Sequence, residues 1–387
     1  MRPKNFITLL LVALAPAFVA TGTAHAQAIL SGSNRVRMGV VLPLKEKTQR
    51  GAKMVEFYQG LLMAVDSMKH DGLNVDVVAL HSGTTASEMD SLVNSHSLAS
   101  CNVVFGPLDS EQLPVLVDYC DIHGVRLVCP FATTTAHVAR HSRYYLTTPP
   151  RNIIQREAAW FAKEQFASHN IILVDCNEKN DEGAAFGELL RTAMSEKGVY
   201  VRTLNAGGDE MAFFQAFNPL RSNLIVLNSS SQKALNTFLP KLKEYKQQHP
   251  DLQVSLLGYP SWQTYTAQSL NDFYDNDTYI YTTFYRHPLT PRNEAFDRQF
   301  VKNFRHPMQA TFPRYGQMGF DLGYYFLRGL SIYGDNFENN VTNVPARAYQ
   351  NPVWFERQGQ NGGFVNTFVE LVHYTPHQTI ELVTRNR

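Results

Sequence analysis

The chain has 387 residues, which exceeds the usual domain size of about 100 to 200 residues, so two domains are expected. Its 35 basic and 34 acidic side chains leave a formal net charge of +1, which excludes the strongly positive field of a nucleic-acid-binding protein and any general attraction to an anionic membrane. The apolar share of 44% is that of a folded chain and excludes extensive disorder.

The first 26 residues have the pattern of a secretory signal peptide. Arg2 and Lys4 form a short basic head, 6–20 is mostly apolar, and 24–26 (Ala-His-Ala) has the small-x-small form that signal peptidase requires. The apolar stretch is shorter than the roughly 20 residues that cross a bilayer, although an uncleaved anchor helix is the alternative. We expect cleavage near Ala26 and export, most simply to a bacterial periplasm, with no direct membrane insertion of the mature chain.

From residue 36 onward, short apolar runs alternate with stretches of helical period, which is the pattern of a parallel sheet with crossover helices. The first series has predicted strands at 36–42, 75–80, 103–105 and 125–128, with predicted helices at 54–68, 87–99 and 111–123. Four such units in a row predict a doubly wound lobe.

A double proline at 149–150 stops any helix and stiffens the connection to a second series. This series has predicted strands at 171–175, 200–204, 224–227, 253–257 and 279–283, with predicted helices at 152–166, 182–197, 211–217 and 232–247. The same alternation of strands and helices therefore predicts a second lobe of the same kind.

The last hundred residues break the alternation. Helices are predicted at 293–304 and 316–333, and a hairpin is predicted at 363–383 with its turn at 374–377. Two helices without strands of their own fit a chain that returns at 285–288 to cover the first lobe and then crosses back. We therefore predict an α/β fold of two doubly wound parallel-sheet lobes. The expected boundaries are 33–148 with 285–335 for the first lobe, and 149–284 with 336–387 for the second.

Four cysteines follow the signal peptide: Cys101, Cys120, Cys129 and Cys176. An oxidising compartment permits disulfides, and four cysteines allow three complete pairings, between which the sequence does not choose. Apolar runs surround Cys129 and Cys176, so buried thiols are an equal alternative. The sequence contains no C-x-x-C, which argues against a thioredoxin-like redox site or a zinc knuckle.

Two polar turns follow predicted strands of the first lobe. The segment 106–110 (GPLDS) follows strand 103–105, and 131–134 (FATT) follows strand 125–128. Ligands of open α/β sheets bind beyond the carboxyl ends of the strands, where helix N-termini present unpaired N–H groups. If these strands are neighbours, the hydroxyls of Ser110 and Thr133 face one cleft and suit a carboxylate or another polar acceptor. Helix capping is the alternative for both residues.

The lobe order, the exported N-terminus and four motifs resemble the type I periplasmic binding proteins, specifically the branch that serves branched-chain amino acid uptake. The motifs are VFGPLDS, LVCPFATT, NDEGAAFGELLRTAMSEKGVYV and FERQGQNGGFVNTFVELVHY. The resemblance covers nearly all of the mature chain. It implies two lobes that hinge shut on a ligand across three crossing segments, with Ser110, Ala132 and Thr133 as contacts from the first lobe.

Two departures from this family bear on the ligand. Phe186 stands before Gly187 where the family has tyrosine, which removes a hydroxyl donor but keeps a ring. The stretch 258–262 (GYPSW) has no carboxylate where amino acid binders place one, and a buried ammonium without a counter-charge is costly. A plain α-amino acid is therefore disfavoured. Tyr259 and Trp262 would suit a flatter or more apolar ligand, with core packing as the alternative.

No enzyme motif is present: G-x-S-x-G, G-x-x-x-x-G-K-[ST], G-x-G-x-x-G and H-E-x-x-H are all absent. His137 and His141 have metal-like spacing but no carboxylate or cysteine at ligand spacing, so neither a metal nor a cofactor is expected. We predict a solute-binding protein, not an enzyme, that closes on a small polar or aromatic ligand for ABC-type uptake or sensing. Its expected partner is a membrane permease or a cell-envelope protein. The alternative is a periplasmic interaction or regulatory module related to penicillin-binding protein activators.

Overall fold

A computed structural model describes residues 35–178, 182–287 and 289–385. The predicted signal peptide and its cleavage near Ala26 lie outside these residues. Within the described ranges, no helix combines the length and the apolar character that crossing a membrane requires.

The described strands and helices alternate along most of the chain. The strands are β1 (Arg35–Leu42), β2 (Asn74–His81), β3 (Val103–Phe105), β4 (Arg126–Cys129), β5 (Tyr144–Leu146), β6 (Asn170–Asp175), β7 (Val201–Asn205), β8 (Asn223–Leu227), β9 (Val254–Gly258), β10 (Thr278–Thr282), β11 (Phe355–Arg357), β12 (Phe364–Asn366), β13 (Glu370–Tyr374) and β14 (Ile380–Thr384). The helices are α1 (Gln49–His70), α2 (Ala86–Asn94), α3 (Leu113–Ile122), α4 (Arg151–Phe166), α5 (Glu182–Ser195), α6 (Glu210–Ala216), α7 (Gln232–Gln248), α8 (Thr266–Asp275), α9 (Pro291–Phe304) and α10 (Tyr315–Tyr333).

The strands form two seven-stranded sheets. The first has the order β11-β12-β5-β4-β3-β1-β2 and the second has the order β14-β13-β10-β9-β8-β6-β7. In the first sheet, β1 to β5 and β12 all run parallel to one another, with β12 beside β5. Strand β11 runs antiparallel to β12. In the second sheet, β13 and β14 add an antiparallel hairpin to the parallel strands β6 to β10. The prediction of two α/β lobes is confirmed, with antiparallel strands at one side of each sheet.

After the second sheet, the chain returns to the first lobe with α9 and α10. Helix α10 packs closely along α1. A Cβ atom on Gly60 would lie 2.0 Å from the carbonyl oxygen of Gly316, and one on Gly319 would lie 2.0 Å from that of Phe57. Only glycine permits this approach of the two backbones. The N-terminus of α1 is held by Thr48, whose hydroxyl accepts a hydrogen bond from Gly51 N at 3.1 Å.

Three segments of the chain cross between the lobes. They are 147–150 between β5 and α4, the described residues 283–287 and 289–290 between β10 and α9, and 367–369 between β12 and β13. The prediction that 336 onward belongs to the second lobe is therefore wrong for β11 and β12, which join the first sheet beside β5, whereas β13 and β14 do join the second sheet. Strand β11 has only three residues and no helix directly beside it, so no pattern reveals it in the sequence, and β12 lies within the stretch that was predicted as a hairpin of the second lobe.

The four cysteines form no disulfide with one another. Cys101, Cys120 and Cys129 belong to a core cluster on one face of the first sheet, whereas Cys176 is half-buried at the edge of the second. Burial raises the pKa of the Cys129 thiol to about 12. Of the two alternatives that the sequence leaves open, the structure shows buried thiols for the first three residues.

Candidate functional site

The two polar turns of the first lobe leave the same edge of its sheet. Strands β3 and β4 are parallel neighbours, with Phe105 opposite Val128. Gly106 opens the first turn with φ of 135°, and a Cβ atom there would lie 2.1 Å from the carbonyl oxygen of Val41, so no other residue fits. Ser110 and Thr133 are both exposed beyond this edge. The structure therefore meets the condition under which their hydroxyls were predicted to face one cleft.

The details of the two turns differ. Ser110 begins a short 3-10 turn that leads into α3, whereas the segment from Ala132 to Thr135 is irregular. Ala132 is half-buried against the core of the first lobe. Asp109, next to Ser110, forms an ion pair with Arg50 at the start of α1. This pair ties the first turn to α1 and leaves the Ser110 side chain at the surface.

The prediction that Phe186, Tyr259 and Trp262 contact a ligand is not supported by the structure, because all three side chains have 0% exposure. The Tyr259 hydroxyl donates to the carbonyl oxygen of Leu227, and Trp262 Nε1 donates to that of Ser230 at 3.2 Å. The three rings pack in the core between the second sheet and its helices, with Phe186 and Tyr259 5.7 Å apart at their centroids. Their aromatic character serves packing, which was the alternative for Tyr259 and Trp262.

A cavity of about 250 Å³ lies where the lobes join. Its wall combines the first two crossing segments with the turn after β4, the first half of α10 and the stretch before β11. The lining residues are Pro130, Phe131, Thr147, Thr148, Pro149, Thr283, Phe284, Pro313, Tyr315, Met318, Leu322, Asn351, Pro352, Val353 and Asn366. Beyond the crossings, none of the described lining residues comes from the second lobe. The cavity therefore lies on the first-lobe side of the hinge.

The wall of this cavity is uncharged and largely apolar. None of its described residues carries a carboxylate, an ammonium or a guanidinium group. Phe131 is one of the lining residues, and its ring centroid lies 5.1 Å from that of Phe57 and 6.3 Å from that of Tyr315. Burial, followed by the nearby Glu56 carboxylate, raises the pKa of the Tyr315 phenol, so this group stays neutral and can donate a hydrogen bond.

The polar atoms at the base of the cavity mostly hold the crossings in place. Asn366 is 2% exposed, and its Nδ2 donates to the carbonyl oxygen of Thr147 at 3.0 Å. Its Oδ1 accepts from Trp354 N at 2.8 Å and from Phe368 N at 3.0 Å. The Thr148 hydroxyl donates to the carbonyl oxygen of Pro130 at 2.6 Å. One amide side chain thus links the first crossing to the start of the third.

The facing edge of the second lobe does contain a carboxylate, which the sequence analysis missed. Glu178 follows β6, and its Oε2 accepts hydrogen bonds from the hydroxyls of Ser229 and, at 2.8 Å, Ser231 after β8. The family resemblance implies such a group only after β9. Parallel pairing of β6 with β8 brings the two loops together, and this long-range pairing had no local signal in the sequence.

His137 and His141 lie in the first lobe, with ring centroids 6.2 Å apart. In the parts of the chain that the structure describes, no group of three or more His, Cys, Asp and Glu side chains is arranged to hold a metal ion.

The two-lobed architecture was compared with known sequences and solved structures. No protein-family model matches the chain, and no curated protein sequence matches it. Solved structures do. A protein of Rhodospirillum rubrum assigned to branched-chain amino acid ABC transport is 11% identical, with a TM-score of 0.64 over 90% of this chain and 100% of that one. The chain has the fold of a type I periplasmic binding protein.

Two further structures support this assignment. An ABC-type branched-chain amino acid transporter from Rhodopseudomonas palustris is 11% identical, with a TM-score of 0.54 over 91% of this chain and 96% of that one. A branched-chain amino acid ABC transporter periplasmic ligand-binding protein from Burkholderia xenovorans is 12% identical, with a TM-score of 0.53 over 90% and 94%. At such low identity the likeness shows the fold, and the ligand has to be argued from the residues of the cavity.

Proposed function

We propose that this chain is an exported solute-binding protein that closes its two lobes on a small, largely apolar or aromatic ligand. The observation that carries the proposal is the uncharged cavity at the hinge of a periplasmic binding protein fold. A pocket with apolar walls and a few placed polar groups is the usual form of a small-molecule site. Catalysis is not part of the proposal.

Closure of the lobes follows from the position of the cavity. A ligand against Phe131 on the first lobe and Phe284 on the second crossing leaves one side to be covered by the edge of the second lobe. Contacts made only in the closed form lower the free energy of that form and shift the population toward it. Asn366 and the first crossing act as the pivot, since Asn366 and Thr147 are buried and hydrogen-bonded to each other.

The cavity also narrows the chemistry of the ligand. Its wall suits a branched aliphatic or aromatic group. Ser110, Ala132 and Thr133 do not line the cavity, but Ala132 and Thr133 directly follow the lining residue Phe131, so we place a carboxylate or carbonyl of the ligand on that side, toward this turn and the neighbouring turn of Ser110. An ammonium group would find no counter-charge in the cavity wall, and Glu178 already accepts two hydroxyl hydrogen bonds. We therefore propose a ligand without an ammonium group, such as an aromatic or branched aliphatic acid.

The ligand should be detected by native mass spectrometry of protein purified without denaturation. A panel of aromatic carboxylates, branched 2-oxo acids and the matching amino acids is then screened by thermal melting and small-angle scattering. We expect the acids, not the amino acids, to raise the melting temperature and compact the protein. Phe131→Ala should reduce this response, whereas the control Phe214→Ala, on the outer surface of the second lobe, should not.

Two results would contradict the proposal at different levels. Binding of an amino acid that Glu178→Gln abolishes would refute the ligand class but keep the solute-binding function. No bound molecule and no compaction with any compound would refute the function itself. In that case, capture of a cell-wall synthase by the purified chain would favour the alternative, an envelope interaction module. Ligand binding with compaction would instead support delivery of the ligand to an ABC permease or to a sensor.

A further inference from the structure

A groove runs between α6 and α7 on the second lobe, away from the cavity at the hinge. It has two adjoining parts of about 230 and 360 Å³, which share Tyr245 and Gln248 of α7. The larger part is bordered by Pro219 before β8 and by 250–252 before β9, which are the amino ends of these strands. The lobe cleft lies at the carboxyl ends. The groove is therefore accessible whether the lobes are open or closed.

The larger part of the groove is apolar and has an exposed aromatic rim. Phe217, directly after α6, is buried and lines this part, with its ring centroid 5.1 Å from that of Tyr245. Phe213 of α6 is buried on the side of the smaller part, with its ring centroid 5.4 Å from that of Tyr245. Phe214 faces outward with 66% of its surface exposed, and Leu220 is 92% exposed in the same segment. Single exposed apolar side chains are common, but a cluster around a groove marks a surface that another molecule covers.

The smaller part of the groove is acidic. Asp209, Glu210 and Glu244 line it, and Asp251 stands at the far end of the larger part. The one cation among these lining residues is Lys241, whose Nζ donates to the carbonyl oxygen of Ala206 at 2.8 Å. In the described part of the chain, no ion pair neutralises the carboxylates of Glu210 or Glu244. The groove thus combines an apolar floor with a net negative end.

We propose that this groove docks a segment of a partner protein in which a bulky apolar side chain stands next to lysine or arginine. The apolar side chain covers Phe214 and packs toward Phe217, and the cation lies between Glu210 and Glu244. Charge complementarity favours a basic segment, and it disfavours the same face of a second copy, since that would bring like charges together. The site uses none of the residues of the hinge cavity, so it stands independently of the proposed ligand.

A selection from a random-peptide phage library on the chain without residues 1–26 tests this proposal. We expect the selected peptides to carry lysine or arginine beside a large apolar residue. A synthetic copy of one such peptide should bind the double variant Glu210→Lys with Glu244→Lys at least roughly tenfold more weakly, and Phe214→Ser likewise. Matched controls on the first lobe, Glu111→Lys and Ile122→Ser, should leave its affinity unchanged; both positions are exposed.

A peptide in which glutamate replaces the basic residues should show the opposite preference and bind the double lysine variant better than the wild type. This reversal separates charge recognition from loss of folding. Selected peptides without basic residues, or equal binding to wild type and groove variants, would overturn the proposal. So would a concentration-dependent dimer that Phe214→Ser abolishes, because the occupant would then be a second copy. Ligand-induced melting shifts are expected to be the same in Phe214→Ser as in the wild type.

Discussion

Glu370 gives the most direct test of the electrostatics near the hinge. It is the first residue of β13, directly after the third crossing, and it pairs across the sheet with Thr282 and Thr384. Glu370 is only 3% exposed, and burial raises the pKa of its carboxyl from 4.5 to about 7. The folded state therefore holds a proton on this carboxyl at pH values where the unfolded chain has lost it. Stability from this group is fully present below the unfolded pKa and is lost as the pH rises through the folded pKa.

The size of the effect follows from the shift. A rise from 4.5 to about 7, at about 1.4 kcal/mol per pKa unit, corresponds to about 3 kcal/mol of stability that is lost between about pH 4.5 and pH 7. Glu370→Gln removes the ionisable group and keeps its shape. The variant should therefore match the wild type near pH 4.5 and exceed it by about 3 kcal/mol near pH 8. The neighbouring Tyr285 phenol does not interfere, because burial raises its pKa to about 12.

Urea unfolding of both proteins, followed by tryptophan fluorescence at about pH 5 and about pH 8, measures this difference. Taking the difference between variant and wild type at each pH cancels the other titrating groups. Glu381→Gln, at an exposed glutamate in the same hairpin, is the matched control for the substitution itself. A stability difference for Glu370→Gln that is equal at both pH values would refute the reasoning.

Three further predictions concern the hinge, the core and the thiols. Asn366→Leu should destabilise the protein by about 3 kcal/mol in urea unfolding, since it removes the hydrogen bonds of the Asn366 side chain to Thr147 O and to two backbone N–H groups. Asn366→Asp should destabilise it less, because the oxygen that accepts from the two N–H groups remains. Trp262→Ala should cost about 3 to 5 kcal/mol and leave ligand affinity per folded molecule unchanged; a selective loss of binding would restore Trp262 as a ligand contact. A maleimide should label Cys176 in the native protein and Cys129 only after unfolding, and native labelling of Cys129 would contradict its burial.

The fold could be predicted from the sequence wherever a strand and its helix are adjacent in the chain. The runs that became β1, β6 and β8 have enough apolar residues in a row to identify a buried strand. Strand β5 escaped notice because it is short and no helix separates it from β4, so the strand–helix alternation does not reveal it. The residues of β12 were predicted as strand within the hairpin at 363–383 but were assigned to the wrong lobe, because β12 pairs with β5, a partner more than two hundred residues earlier. No local pattern encodes such a pairing.

The candidate site likewise has features that could be predicted from the sequence and features that could not. The neighbouring positions of Ser110 and Thr133 followed from the rule that parallel strands place their carboxyl ends at one edge. The direction of Tyr259 and Trp262 could not be derived, since an aromatic residue in a turn after a strand has the same sequence pattern whether it points into the cleft or under the sheet. Phe131 and Phe284 come from distant segments that meet only when both lobes have folded.

The three crossings also restrict how the lobes can move. The first contains two consecutive prolines, whose fixed φ angles limit its bending. The third is the short segment 367–369, held at one end by Asn366 and at the other by the buried strand β13, and its few residues span at most about 3.6 Å each. The lobes can therefore rotate about the crossings but cannot slide far apart. Asn366 lines the cavity and is bonded to the first crossing, so we expect the proposed closure to change the open side of the cavity more than its base, and the specificity for the apolar end of a ligand to be the same in both forms.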